Sequence, residues 1–172
     1  EKVLVMVIVN VTPDSFSDGG DHFSVSDAVE CALRLEAEGA DIIDIGGQST
    51  RPGHTPVSDT EEWARLEPVL KALDGKLSVP VSVDTYYPFV AENALKSGAD
   101  IINDVSGVIS QEMAEIVKFY RAGWILMHNG AGTPDDIKEF FEKSVDECIK
   151  LGIDKSQLCL DMGIGFGKNY EE

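Results

Sequence analysis

Short apolar runs alternate along the chain with longer segments whose apolar residues recur about every three or four positions. The short runs predict six β-strands, over residues 3–9, 41–45, 79–83, 100–103, 124–127 and 157–160. The first run has four Val among its seven residues, and we expect it to be buried on both faces, as in a parallel sheet. A run of that length is too short to span a membrane.

The longer segments predict five helices, which begin near residues 25, 59, 88, 110 and 133. Ser58 stands three residues before Glu61, a spacing that is typical of a helix start. Glycine is predicted to end three of the helices, at Gly39, Gly98 and Gly152. The fifth helix is expected to turn its apolar residues inward: Ile137, Phe140, Phe141, Val145 and Cys148.

One six-residue pattern occurs twice, at residues 39–44 and 98–103, so its copies are 59 positions apart. That interval is about two strand–helix units, and the alternation predicts a parallel sheet with right-handed crossovers. Either a doubly wound sheet or a (β/α) barrel would satisfy it. We favour the barrel because polar residues follow nearly every strand, as they do around a barrel rim: Asn10, Asp44, Asp84, Asn103, His128 and Asp161.

The predicted fold is therefore α/β, a single (β/α)8 TIM-barrel domain over residues 1–172, with about six strands and five helices present. A complete barrel takes about 250 residues. We expect the chain to be a piece of a longer one that lacks the last two βα units. Such a piece would expose the two edges of an unclosed sheet, and we expect it to be inactive by itself.

The chain of 172 residues carries a formal net charge of −17. This charge argues against nucleic acid or an anionic membrane as a partner, and an anionic substrate would need a metal ion or local cations. No segment resembles a signal peptide or a transmembrane helix. The three cysteines are predicted to be buried thiols in a reducing compartment, the cytoplasm: Cys31, Cys148 and Cys159.

Three rim residues suit the recognition of a flat heterocycle: Asp84, Asn103 and Asp161. A carboxylate accepts two hydrogen bonds from the adjacent N–H and NH2 donors of a 2-amino-4-oxo-pyrimidine edge, and an Asn amide covers its mixed donor and acceptor side. The alternative is that these residues cap helices or hold loops, as Asp and Asn commonly do. The presence of three on one rim favours ligand recognition.

Asn10 carries an oxygen donor of the kind that Mg2+ prefers, although an Asn in this context also commonly starts a turn. The loop at residues 49–53 supplies a hydroxyl and the Arg51 guanidinium, which suit a phosphate or a carboxylate. The glycine-rich residues 163–168 match a phosphate cradle only weakly, because Lys168 is not followed by Ser or Thr. The three histidines lack the spacing of a zinc site.

Two long stretches, residues 10–20 and 39–53, closely resemble the signature sequences of the dihydropteroate synthase family. Residues 82–85, 102–105 and 160–168 are similar to its later motifs. The resemblance implies a (β/α)8 barrel of folate biosynthesis that condenses 6-hydroxymethyl-7,8-dihydropterin diphosphate with 4-aminobenzoate, giving 7,8-dihydropteroate and pyrophosphate. It also implies Mg2+ as cofactor, a homodimer, and competition by sulfonamides at the aminobenzoate site.

The resemblance also implies roles for individual residues. The pterin would be held by three residues with catalytic roles, Asp84, Asn103 and Asp161. Asn10 would be the Mg2+ ligand. The diphosphate and the aminobenzoate would be contacted from the loop after the second strand, at Thr50, Arg51 and Pro52. A mobile first loop that closes over the second substrate would contribute Phe16 and Asp18, and the last two substrate contacts would be Met127 and Phe166.

The chain departs from the family pattern at Gln48, where Glu is commoner, and at Met162, where Pro is usual. A corrinoid-dependent methyltransferase barrel shares the pterin-holding Asp and Asn pattern and is one alternative. It has no diphosphate to bind, so the loops at residues 10–20 and 49–53 count against it. A non-catalytic barrel that serves as a scaffold or dimer partner is the other alternative, and ligand binding without turnover would favour it.

Overall fold

The computed structural model describes residues 3–12, 25–49 and 55–168 of the chain. Its elements are, in order, β1 (Met6–Asn10), α1 (Val25–Ala37), β2 (Ile42–Gly46), α2 (Asp59–Leu73), β3 (Val81–Asp84), α3 (Pro88–Lys96), β4 (Ile101–Asp104), α4 (Gln111–Tyr120), β5 (Gly123–Met127), α5 (Pro134–Lys150) and β6 (Leu158–Asp161). A short 3-10 helix, Lys155–Gln157, precedes β6. Within these ranges no helix is both long enough and apolar enough to cross a membrane.

The six strands form one parallel sheet in the order β1-β2-β3-β4-β5-β6. The order of the described strands does not reverse, so the sheet lacks the switch point of a doubly wound fold. Successive helices α1 to α4 pack against one another in a single layer. The fold is therefore a partial (β/α)8 barrel of six strands and five helices, which confirms the predicted fold class.

The hydrophobic core lies between the sheet and the helices. Alternate strand residues point toward the helices, and they include buried core residues: Val9, Ile43, Ile45, Val83, Ile102 and Trp124. They meet the apolar stripes of the helices, of which the α2 stripe includes Leu66, Leu70 and Leu73 as predicted. The intervening strand residues face the barrel interior.

The two copies of the repeated pattern adopt the same local structure. Gly39 and Gly98 each follow a helix with positive φ, at 105° and 96°, where glycine avoids the strain of a side chain. The Asp two positions later accepts a backbone N–H from the neighbouring strand segment, at 3.0 Å for Asp41 and 2.9 Å for Asp100. Each copy therefore fastens the start of its own strand to the preceding one.

The first strand is not buried on both faces, and the prediction is wrong on that point. Val9 is buried, but Met6 is 37% and Ile8 57% exposed. Within the described residues β1 pairs only with β2, and an edge strand leaves one side uncovered. The predicted burial of Cys159 is wrong for the same reason, because it lies in the edge strand β6, whereas Cys148 is buried and Cys31 is only half-buried.

The apolar face of α5 is only partly covered. Cys148 is buried, but the other residues that we expected to point inward are half-buried: Ile137, Phe140, Phe141 and Val145. Three of these residues line an open groove, and Leu160 and Met162 form its wall on the β6 side. The predicted stripe exists, and in the described chain the elements beside it cover only part of its width.

Candidate functional site

The C-terminal ends of four neighbouring strands bring three polar residues to one level of the sheet. In the parallel register Asn10 is beside Gly46, Gly46 is beside Asp84, and Asp84 is beside Asn103. Residues paired in this way point to the same face of a sheet. Since that face is turned away from the helices, the three polar side chains lie together at the rim of the barrel interior.

Gly46 leaves a gap between two of these side chains. A methyl group at position 46 would lie 3.3 Å from Asn10 Oδ1 and 3.7 Å from Asp84 Cβ. Asn10 is exposed, and Asp84 is only 8% exposed. The absence of a side chain at position 46 therefore allows the Asn10 amide and the Asp84 carboxyl group to lie close together across β2.

A hydrogen bond to Asp44 sets the orientation of the Asn103 amide. Asn103 Nδ2 donates to Asp44 Oδ2 over 3.1 Å, and Asp44 is fully buried. Asn103 Oδ1 has no hydrogen-bond partner within the described residues. Burial raises the pKa of Asp44, and the neighbouring Ser82 and Asn103 side chains partly offset the rise. Asn103 Oδ1 is therefore a buried acceptor whose hydrogen-bonding capacity is unused within the described residues.

The exposed Asn10 side chain carries an amide oxygen of the kind that binds metal ions. Across residues 3–12, 25–49 and 55–168, no group of three or more His, Cys, Asp or Glu side chains is placed to hold a metal. Mg2+ is commonly held by one or two protein ligands together with substrate phosphates and water. Asn10 fits a Mg2+ ion whose coordination is completed by a substrate, and it does not fit a metal held by the protein alone.

Asp161 lies at the end of β6, two strands away from Asn103. It pairs in register with Met127, so both point into the barrel, where Met127 is buried and Asp161 is exposed. Asp161 Oδ1 accepts the Gly163 N–H at 2.9 Å, which turns the chain sharply after the strand. The half-buried Phe166 lies in that turn. This half of the predicted site is therefore more open than the Asp84–Asn103 half.

Lys168 holds the loops after β5 and β6 together. Its Nζ donates to the carbonyl oxygens of His128, at 2.7 Å, and of Gly130, at 2.8 Å. Burial lowers the pKa of Lys168, and the charge of Asp161 opposes that effect. Since its ammonium group is committed to two carbonyls, the weak phosphate-cradle interpretation of residues 163–168 gains no support from this geometry.

Five of the predicted substrate contacts lie outside the described residues: Phe16, Asp18, Thr50, Arg51 and Pro52. Their roles stay predictions. The described ones divide into a rim group on β1, β3 and β4, formed by Asn10, Asp84 and Asn103, and a second group on β5, β6 and the turn after β6, formed by Met127, Asp161 and Phe166.

Sequence reasoning missed Glu62, which is fully buried on α2. Thr85 Oγ1 donates to Glu62 Oε2 at 2.9 Å, immediately after the predicted site residue Asp84. Burial raises the pKa of Glu62 to about 7, and the Thr85 hydroxyl and the Gln48 amide partly offset the rise. A signal was present, because position 62 lies four residues before Leu66 on the buried stripe of α2.

A family model described as pterin binding enzyme matches residues 6–172. The chain belongs to the pterin-binding enzyme family. It is 45% identical over 179 aligned positions to the dihydropteroate synthase of Bacillus subtilis, an alignment that covers 100% of this chain and 62% of that protein. The chain thus spans less than two thirds of the length of this relative.

Solved structures of the family show the same arrangement. A dihydropteroate synthase from Clostridium difficile, crystallised in the presence of pteroic acid, matches with a TM-score of 0.91 and 44% identity, over 99% of this chain and 68% of that one. The Xanthomonas albilineans synthase with 4-aminobenzoic acid matches with a TM-score of 0.89 and 44% identity, over 96% of this chain and 63% of that one. Both are similar to this chain along nearly all of its length.

Proposed function

We propose that the full-length protein is a dihydropteroate synthase, which joins 6-hydroxymethyl-7,8-dihydropterin diphosphate to 4-aminobenzoate and releases pyrophosphate. The observation that carries the proposal is the pairing of Asp84 with Asn103 at one level of the rim, in a chain 45% identical to a named dihydropteroate synthase. The 4-aminobenzoic acid and pteroic acid named with the two solved relatives are a substrate and a product-like compound of this reaction.

The rim supplies hydrogen-bond acceptors for the pterin edge. The Asp84 carboxylate accepts from the ring N–H and the amino group, and Asn103 Oδ1 accepts a further N–H. Asp161 would take a donor on the side nearer β6. Charge-assisted, bidentate hydrogen bonds of this kind are the strong ones. Asp44 contributes indirectly, because its hydrogen bond to Asn103 Nδ2 keeps Oδ1 turned toward the pterin.

Mg2+ belongs to the proposal through Asn10. The Asn10 side-chain oxygen would hold the ion beside Gly46 and Asp84, and bound Mg2+ would neutralise charge on the departing pyrophosphate. Thr50 is proposed to contact the diphosphate, and Arg51 and Pro52 the aminobenzoate. Phe16 and Asp18 are proposed to cover the second substrate, and Met127 and Phe166 to line the pterin pocket.

The protein residues accelerate the reaction by holding the aminobenzoate nitrogen and the pterin methylene carbon in the orientation that the displacement requires. The aminobenzoate nitrogen forms a bond to the pterin methylene carbon, the bond from that carbon to the diphosphate oxygen breaks, and the nitrogen gives up a proton. No protein nucleophile is needed for this displacement. Correct orientation of the two reactants accounts for much of the acceleration in such reactions.

The experiment is aminobenzoate-dependent pyrophosphate release by the full-length protein with the pterin diphosphate and Mg2+. We expect release by the wild type, and a loss of pterin affinity of about tenfold to a hundredfold in Asp84→Asn, because a charged hydrogen-bond acceptor is lost. Asp74→Asn, at the exposed C-cap of α2, is the matched control and should behave as wild type. Pterin binding without pyrophosphate release would favour the methyltransferase or scaffold alternative and withdraw the proposal.

A cytoplasmic location and a homodimer complete the proposal. All three cysteines are free thiols, which supports a reducing compartment. The homodimer rests on the resemblance to the dihydropteroate synthase family. Fractionation of cells that express the full-length protein tests the location, and sedimentation of the purified protein tests the dimer.

A further inference from the structure

Glu62 lies behind the rim, on the side of the sheet that faces the helices. Its carboxylate is fully buried, as are Thr85 and nearly all of Gln48, which is 2% exposed. Thr85 Oγ1 donates to Glu62 Oε2 at 2.9 Å and accepts from Tyr87 N at 3.2 Å. The carboxylate thus holds the chain directly after Asp84, which is the residue proposed to bind the pterin.

The loop after β2 reaches the same carboxylate from the other side. A methyl group at Gly47 would lie 2.9 Å from Glu62 Cγ, so the loop backbone passes directly against α2 at this point. Arg65 Nη1 donates to the Gly47 carbonyl oxygen at 3.1 Å. The loop therefore packs against the turn of α2 that carries Glu62.

Gln48 presents its amide to the carboxylate. The Val57 N–H donates to Gln48 Oε1 at 3.4 Å, so the amide oxygen has a partner just before the start of α2. Gln48 Nε2 and Glu62 Oε1 are both buried, and neither forms a hydrogen bond within the described residues. The Gln48 amide lies close enough to the Glu62 carboxyl group to oppose the rise in its pKa, so an unsatisfied donor and an unsatisfied acceptor occupy the same buried region.

We propose that Glu62 is a positioning residue that couples the loop after β2 to the end of β3, with Gln48 as its matched partner. One oxygen of the carboxyl group accepts a hydrogen bond from Thr85, next to Asp84, and Gln48, in the loop after β2, lies close to the same carboxyl group. The coupling thereby ties the start of this loop, at residues 47 and 48, to the residue proposed to bind the pterin. This inference rests on the proposed function for its consequence in catalysis, but not for the contacts themselves.

The coupling can be tested by exchanging the side chains at positions 48 and 62. In Gln48→Glu two buried carboxyl groups would face each other, and in Glu62→Gln two amide NH2 groups would. The double variant Q48E/E62Q restores one acceptor and one donor with their places exchanged, while the amide introduced at position 62 still offers an oxygen to Thr85. A residue that served only to fill space would show no such reciprocity.

We expect each single variant of the full-length protein to bind the pterin diphosphate about tenfold more weakly, because a buried polar group loses its partner. The swap should recover to within about threefold of wild type. Glu67→Gln, on the exposed side of the same helix where it pairs with Lys71, is the matched control and should leave affinity unchanged. If the losses of affinity in the two single variants add in the double variant, the inference is overturned. It is also overturned if the single variants lower only the melting temperature and leave the affinity unchanged.

Amide hydrogen exchange separates this inference from the proposed function, since it needs no substrate. In Glu62→Ala we expect faster exchange both at residues 47–49 and at Thr85, because both contacts are lost, whereas in Glu62→Gln we expect it only at residues 47–49, with slow exchange restored in the swap. If wild type releases no pyrophosphate but the exchange pattern is as expected, the proposed function fails and the coupling stands. Faster exchange in only one of the two segments of Glu62→Ala would overturn the coupling.

Discussion

Asp44 and Asn103 occupy the last position of the two copies of the repeated pattern, and the fold brings them into contact. The side-chain amide of Asn103 could in principle point either way, because its oxygen and nitrogen ends have nearly the same shape. Asp44 removes that freedom, since its Oδ2 accepts from Asn103 Nδ2 at 3.1 Å. The chemical identity of one buried residue therefore decides which atom the other shows to a ligand.

This contact predicts the effect of two substitutions at position 44. Asp44→Leu leaves Asn103 Nδ2 without its partner, so we expect pterin affinity of the full-length protein to fall about tenfold. Asp44→Asn keeps an oxygen that accepts the same hydrogen bond and should stay within about threefold. Calorimetric titration with the pterin diphosphate measures both. Equal losses in the two variants would contradict the orienting role.

Glu62 predicts how stability changes with pH. Burial raises its pKa in the folded chain to about 7, against 4.5 for an ordinary Glu, so folding favours the protonated form. Its contribution to stability is complete below pH 4.5 and is lost as the pH rises through 7. We expect the free energy of unfolding to fall by on the order of 3 kcal/mol across that window because of this group.

Urea unfolding of the chain between pH 5 and pH 8 measures this dependence. Glu62→Gln should flatten the curve without abolishing its slope, because burial raises the pKa values of Asp44 and Asp104 in the same direction. Glu67→Gln, at a side chain of the same helix that is 41% exposed, is the matched control. A slope that Glu62→Gln leaves unchanged would show that another group is responsible.

At the scale of elements, Gly163 is the most tightly packed glycine of the turn after β6. Gly163 has a φ of 62°, and a Cβ there would collide with the His128 carbonyl oxygen and come within 3.0 Å of Met127 Cγ. The N–H of the same residue donates to Asp161 Oδ1. The turn therefore holds β6 against the loop after β5 and orients the Asp161 carboxylate.

Gly163→Ala is expected to destabilise the chain by about 2 kcal/mol or more, from left-handed strain and the steric clash. Gly165→Ala is the matched control, because position 165 has open space around it and no left-handed φ. Denaturant unfolding of the two variants gives the comparison. Similar free energies of unfolding for both would mean that the turn relaxes without cost.

At the scale of the whole molecule, the described barrel is open between β1 and β6. Both strands have one unpaired edge within the described residues, and exposed apolar side chains accompany them, Ile8 at 57% and Leu160 at 44%. Unpaired edges with apolar side chains promote association between sheets. The net charge of −17 opposes that association by mutual repulsion.

We expect the 172-residue chain to self-associate as its concentration rises, and added salt to strengthen the effect by screening its charge. Ile8→Lys should suppress association, because a charge on an edge strand disfavours pairing. Phe119→Lys is the matched control, since Phe119 is 79% exposed on α4, away from either edge. Sedimentation velocity measures all three, and equal suppression by the two variants would point to general charge rather than the edge.

Much of the fold could be predicted from local pattern. Ser58, Ser110 and Thr133 cap their helices, with side-chain oxygens that accept backbone N–H groups at 3.1–3.3 Å, because a short polar side chain ahead of an apolar stripe satisfies a helix end. Asp84 and Asn103 were identifiable because each is polar and ends an apolar strand. Glu62 was not identifiable as a site residue, because a charged residue is not expected on a buried stripe. Only its polar neighbours in the structure explain its position.

The sequence by itself determined the alternation of strands and helices and the residues at the strand ends, and it favoured a barrel over a doubly wound sheet. These follow from periodicity and from side-chain chemistry, which act over a few residues. Only the tertiary structure decided that Asn103 contacts Asp44, that Glu62 accepts a hydrogen bond from Thr85, and that the interior-facing side of β1 is exposed. Those facts depend on register and on which elements cover a surface, and both are set by contacts between residues far apart in the chain.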